Sequence, residues 1–222
     1  MKLRLLKSIG QIGLKSSDGA RSSSIPFVKS LGGLRMRHFE LADYCILDVE
    51  ADVDIIWTPG PSKARLKIRE SLLRHLKVEQ FEDTLKISSA SDFDGDRPML
   101  DLSGPQLSEI HLGASCSASI YDLRSNALIA SAFERSSLRA QGHVRELHIE
   151  CQQTAAVDCA SLVCEIAIAD LSGESIVLLR AEAALQAETR DSCHLLTIGS
   201  PRILDVQRHG ASSPLRLPHG NH

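Results

Sequence analysis

The chain has 222 residues, 43% of them hydrophobic but only 4% aromatic, and a formal net charge of −3. That length allows one extended domain or two small ones. A near-neutral balance without basic residues interleaved among aromatics excludes a general nucleic-acid binder. No apolar run reaches transmembrane length. Few aromatics point to a thin interior lined by Leu, Ile, Val, Ala, Cys and Thr.

Residues 1–37 hold eight Lys or Arg against one acid, Asp18. Leu3, Leu6, Ile9 and Ile12 recur every three residues, with Lys2, Arg4 and Lys7 between them. That spacing is compatible with a short basic amphipathic helix. Arg4 and Lys7 interrupt the apolar stretch that a secretory signal needs. The expectation is a basic, poorly ordered N-terminal segment, with membrane-surface contact and organelle targeting as the other readings. The six cysteines (45, 116, 151, 159, 164, 193) form no C-x-x-C pair and read as reduced thiols packed like small hydrophobes.

From residue 38 onward the pattern changes. In "YCILDVEADVDIIW", Cys45, Leu47, Val49, Ala51, Val53, Ile55 and Trp57 alternate with mostly acidic residues. Period two marks strands with one buried face. The run is long for one strand, so a bend is expected near Glu50–Asp52. "TPGPSK" (58–63) is a turn, "ESLLRHL" (70–76) one helical turn, and "LKV" and "LKIS" are short strands joined at "EDT". In "SDFDGDRP", Asp92, Asp94 and Asp96 have the spacing of the first ligands of a calcium loop. Arg97 and Ser103 stand where such a loop needs Gly and Glu, which makes a solvated acidic loop the expectation.

From Leu107 the chain repeats. Leu128, Leu147, Ile166, Leu185 and Leu204 are each 19 residues apart. Ala130, Ile149, Ile168, Ala187 and Val206 form a second column, and Leu138, Val157, Ile176 and Leu195 a third, broken at Pro214. Glu134, Gln153, Ser172, Asp191 and Gly210 form a column that is never apolar. A first unit two residues longer than the rest would put the GAS tripeptides at Gly113 and Gly210 in the same place. A fixed period near twenty means stacked units. Nineteen fits one turn of a β-solenoid, with the same column of successive turns ~4.8 Å apart. The expected fold is all-β, a parallel β-helix with apolar columns as interior ladders. Its parts are irregular N-terminal strands over 38–105, regular repeats over 107–217 and a tail at 218–222. A leucine-rich repeat is excluded, because the asparagine ladder it requires is missing.

The order of elements resembles a known family. "FELADYCILDVEADVDII", "LLRHLKVEQFEDTLKIS" and the turns "GAS", "SGESI" and "GAS" at 113, 172 and 210 are similar to the head GIN domain of bacterial auto-transporter adhesins. The resemblance covers roughly 38–217. It implies a right-handed parallel β-helix of the cell envelope or exterior. The start of the chain, unlike a typical export signal, leaves cytoplasmic and organelle-targeted locations open. The family brings no catalytic residues to carry over.

Some parallel β-helices cleave polysaccharides with clustered carboxylates on an outer face. The 19-residue spacing places Glu146 and Glu165 in one column beside Arg145 and Cys164, and Glu150 and Glu188 in another with Ala169 between them. These read as an exposed charged face. No Ser-His-Asp order or phosphate loop is legible, and His219 and His222 stand apart in the tail. The expectation is therefore no catalytic, cofactor or metal residues and no cofactor. The predicted function is a non-enzymatic adhesin-like binding or structural module. Its ligand would be a glycan or a protein, not nucleic acid, and homo-oligomers are allowed. The competing readings are a self-assembling scaffold and a carbohydrate-active enzyme.

Overall fold

The computed structural model describes residues 33–90, 93 and 97–216. Asp92, Asp94 and Asp96, residues 1–32 and the tail 217–222 lie outside the described residues. The chain is almost entirely strand and winds as a β-solenoid of about five turns.

The alternating acidic run makes β2 (Ile46–Glu50) and β3 (Asp54–Pro59). The bend between them falls at 51–53, where Ala51 and Val53 still face the interior. Leu47, Val49, Ile55 and Trp57 are buried, as period two predicts; Cys45 is only half-buried, and Tyr44 beside it is buried instead. "TPGPSK" turns the chain into β4 (Lys63–Arg69), and a single 3-10 turn (Glu70–Leu72) leads to β5 (Leu76–Phe81) and β6 (Thr84–Ser89). β7 (Met99–Gly104) follows.

The second turn is laid outside the first. β6 pairs in parallel with β2, and β7 with β3, on one side. β8 (Glu109–Leu112) and the start of β9 (Ser117–Ala132) pair in parallel with the other sides of β2 and β3. The chain therefore passes its own first turn before the regular winding begins. The outer turn is closed by antiparallel strands. β5 covers β6, β4 covers β7, and β1 (Leu34–Glu40) covers β4. Antiparallel strands across an end remove the bare edge a stack of parallel turns would otherwise present.

The regular part consists of β9, β10 (Ser137–Cys151), β11 (Ala156–Leu171) and β12 (Ile176–Thr189), each bent once and paired in parallel with the next. Their first halves continue a stack running from β1 through β4, β7 and β3 to β13 (His194–Ile198) and β15 (Ser213–Arg216). Their second halves continue the stack of β6, β2 and β8, which ends at β14 (Ile203–Arg208). One continuous apolar core fills the interior, built mainly from Leu, Ile, Val, Ala and Cys.

Two of the expected apolar columns are in place except in one turn. Leu128 pairs with Leu147, but Leu147 pairs with Ala167 and Ala167 with Leu185. Ile166, expected inside, is 36% exposed. Ile168 is likewise outside, with Ala169 in its place beside Ile149 and Ala187. In the third column Val177, not Ile176, stands between Val157 and Leu195. The cause is a bulge. Arg139 pairs with Asp158, but Gln141 pairs with Ser161, so β11 takes in one extra residue near Cys159. The following turn is shorter and restores the count. A strand has period two, so a slip of one residue turns the whole segment over.

The never-apolar column has a conformational meaning. Ala114, Glu134, Gln153, Gly173, Asp191 and Gly210 all have left-handed backbones, with φ between 52° and 85°. This one corner position recurs in each turn from the β8–β9 corner onward. Gly173 takes it rather than Ser172, and Ala114 rather than Gly113, so the two GAS tripeptides sit one place out of register.

Candidate functional site

The carboxylates do not converge. Glu146 pairs in register with Ile166, not with Glu165. Its oxygen accepts a hydrogen bond from Arg145 at 2.7 Å, and that bond holds the guanidinium above its ordinary pKa. Glu165 is exposed one position away. Glu150 and Glu188 share a column, with Asp170 rather than Ala169 between them. Three carboxylates thus stand on consecutive turns. Arg190 bridges two of them, at 3.1 Å from Asp170 and 2.8 Å from Glu188. His111 belongs to this column, which runs from Lys86 and Asp48 to Gln207 rather than Arg208. These groups stand on separate turns, face water and are held by neighbouring side chains rather than aimed at one point.

The thiols are withdrawn from chemistry. Cys116, Cys151, Cys159, Cys164 and Cys193 are buried and none is in a disulfide. Burial pushes Cys116, Cys151 and Cys164 up to about 12 and raises Cys159 and Cys193 as well. A thiol that stays protonated is a poor nucleophile and a poor metal ligand. Among the described residues no three His, Cys, Asp or Glu side chains are grouped to hold a metal ion. Trp57 is close in space to the regular turns, since it pairs with Ile120, but it is buried and cannot stack on a sugar.

A shallow concavity lies on the outward face of the first stack. It is an open trough of about 450 Å3 across β9, β10, β11 and β12. Its floor is small: Ser117 and Ser119 on β9, Ser137 on β10 and Ala156 on β11 occupy outward positions of three successive turns. Arg139 and Asp158, 3.3 Å apart, provide polar groups, and Ile176 and Leu178 close one end. Column spacing alone does not find the trough. Its signal is the outward residues of short alternating runs such as "SAS" and "SLR", which matter only once the turns are stacked. Small side chains on a flat sheet leave a shallow channel, and the backbone beneath fixes its direction. Such a surface presents serine hydroxyls and one ion pair along its length.

The same architecture occurs in solved structures. An adhesin from Bacteroides fragilis, described as putative, superposes with a TM-score of 0.69 at 13% identity, covering 83% of this chain and 97% of that one. A second, from Parabacteroides distasonis, gives 0.54 at 14% identity over 84% and 98%. A third, from Parabacteroides merdae, gives 0.52 at 10% identity over 86% and 99%. Identities this low establish a shared fold alone. No curated protein matches the chain in sequence. No helix among the described residues is long and apolar enough to cross a membrane. Residues 43–201 match the model of the family described as "Putative auto-transporter adhesin, head GIN domain", and the chain belongs to that family.

Proposed function

We propose that the protein is a non-enzymatic binding module of adhesin type, working at the cell envelope or outside the cell, with the trough on the first stack as its contact surface. The observation that carries this reading is the row of Ser117, Ser137 and Ala156 on successive turns beside the Arg139–Asp158 pair. An extended polymer, a glycan strand or a protein segment, fits a channel that runs across the strands. The absence of convergent acid–base groups among the described residues and the family itself support a binding role over catalysis. The test is an array of immobilised glycans and surface proteins probed with the wild type and with Ser137→Arg/Ala156→Arg, which fills the channel. Binding lost in the variant supports the trough. Equal binding by both proteins removes it as the contact surface. Reducing-sugar release from a polysaccharide panel, abolished by Glu146→Gln, would replace the binding reading with an enzymatic one.

A specific observation also favours assembly end to end. β14 pairs with β12 along one edge only among the described residues, and Leu204, in an interior column, is 55% exposed. A bare strand edge with apolar residues behind it is a docking site for another chain. Native mass measured against concentration tests this: a rise supports the scaffold, and a constant monomer mass rejects it.

A further inference from the structure

Charge is polarised along the stack. β1, β4 and the segment leading into β5, residues 34–40 and 63–77, hold eight Lys or Arg against Glu40 and Glu70, in a chain whose net charge is −3. On the outward face of β4, Lys63, Arg65, Lys67 and Arg69 are exposed on alternate positions. Charge commonly guards an open sheet edge. β4 is not the edge, because β1 lies over it. β1 itself turns Leu34 and Met36 outward, 51% and 58% exposed. The register sets Met36 on one side of Lys67 and Met99 on the other, with Leu34 beside Arg69. Three large apolar groups thus stand among the cations on three adjacent strands. The ion pairs of this face join Lys63 to Glu40 at 3.7 Å, Arg65 to Asp101 at 3.4 Å, and Arg97 to Asp52 at 2.7 Å and Asp54 at 3.5 Å. They do not include Lys67, which lines an open cleft of about 360 Å3 with Leu34, Asp54, Arg69, Arg97 and Met99.

We propose that the outward side of β1, β4 and β7 docks on an anionic lipid surface, with Lys67 and Arg69 at the headgroups and Leu34, Met36 and Met99 at the boundary with the acyl chains. Cations alone would suit any polyanion. The leucine and the two methionines set among them decide for lipid, because an interfacial contact joins buried apolar area to attraction for anionic headgroups. A soluble polyanion offers the apolar groups nothing. Large apolar side chains grouped on an outer face mark a contact surface, and each Lys or Arg held near an anionic leaflet adds to the attraction. The trough begins at β9, with β3 between it and this patch. The two surfaces are separate stretches of one face, and this inference does not depend on the trough as a binding site.

The full-length chain is sedimented with vesicles of mixed phosphatidylglycerol and phosphatidylcholine and with vesicles of phosphatidylcholine alone, and is run in parallel on immobilised heparin. Binding is expected to the mixed vesicles only, and should weaken steeply toward ~1 M salt, where the screening length is about 3 Å. Lys67→Glu removes two unit charges' worth of attraction and should weaken vesicle binding roughly thirtyfold. Leu34→Ser/Met36→Ser keeps every cation. It should lose vesicle affinity several-fold yet leave heparin at the same salt concentration as wild type, which also shows that the fold is kept. In Met36→Trp, the new indole should shift its emission to the blue on mixed vesicles, over a constant background from Trp57 in the core. Vesicle binding that is equal in wild type, Lys67→Glu and Leu34→Ser/Met36→Ser would overturn the proposal and place the lipid contact elsewhere in the chain. Retention on heparin without any binding to vesicles would overturn it too, and make this face a site for a soluble polyanion. No binding to either would leave the patch without an anionic partner and end the proposal. Lys67→Glu leaves Ser137 and Ala156 untouched, so a failure here is read separately from a failure of the trough.

Discussion

Leu128, Leu147, Leu185 and Leu204 stand in one column, yet they live in different places. The first three are 0–1% exposed, and Leu204 is 55% exposed. Their chemistry is identical, and what differs is the number of turns on either side. In the middle of the stack each residue has a turn above and below; at Leu204 the described residues supply a turn on one side only. The opposite end solves this problem differently, with three antiparallel strands laid over the outermost turn. A repeat thus gives equal residues unequal energies, and burial belongs to the stack rather than to the unit.

The sharpest contrast concerns glycine. At Gly142, with φ of 134°, an added Cβ would lie 2.1 Å from the Leu123 carbonyl oxygen of the neighbouring turn. At Gly210, in the last turn, the nearest atom would be at 3.1 Å. Gly142→Ala is expected to cost several kcal/mol and to leave little folded protein. Gly210→Ala should cost the left-handed backbone term, about 1–2 kcal/mol, with a smaller addition because the Asp191 backbone must give way slightly. Urea midpoints of the two variants check this; equal losses would mean that the middle turns are no more rigid than the end.

Charge insertion probes the register. Ala167→Asp buries a carboxylate in the middle of the stack and should destabilise by several kcal/mol. Ile166→Asp, one residue earlier but outward, should fall within about 1 kcal/mol of wild type. A reversed order in thermal unfolding would restore the strict 19-residue column and contradict the bulge. Truncation follows the same logic with smaller effects. Leu147→Ala is expected to cost about 2–5 kcal/mol and Leu204→Ala under ~1 kcal/mol. Comparable losses would show that something covers the last turn in solution.

The pH dependence separates buried thiols from the one nearer the surface. Burial raises the pKa of Cys116, Cys151 and Cys164 from 9.0 to about 12. A raised native pKa contributes stability that is complete below the unfolded value and is lost as pH climbs toward the native value. Unfolding midpoints should therefore be insensitive to these thiols below pH 9 and fall between about pH 9 and 12. Cys151→Ala should flatten that fall. Below pH 9 a thiol reagent should label Cys45 in the native protein and reach the other five only on unfolding. The smallest change expected is a gain: Gln153→Gly relieves a left-handed backbone in the middle of the stack and should stabilise by less than ~1 kcal/mol. A loss at this position would show that its side chain matters more than its backbone.

Much of the fold is legible in the sequence because stacking repeats one requirement many times. The alternation of Leu47, Val49, Ile55 and Trp57, the period near nineteen and the corner column at Glu134, Gln153 and Asp191 each state a local rule: apolar inward, polar at the corner. The family follows from the order of those elements. Residue spacing cannot tell where a turn holds twenty residues instead of nineteen. Ile166 and Ala167 are both admissible inside by hydrophobicity, and the bulge near Cys159 that decides between them is settled by pairing with the strands on each side. Nor does spacing reveal that the second turn lies outside the first, with β6 and β8 on opposite edges of β2. The trough and the carboxylate ladder depend on that same pairing. Sequence determined which residues prefer the interior; only the stacked strands decided their register, and with it which side chains meet on the outer face.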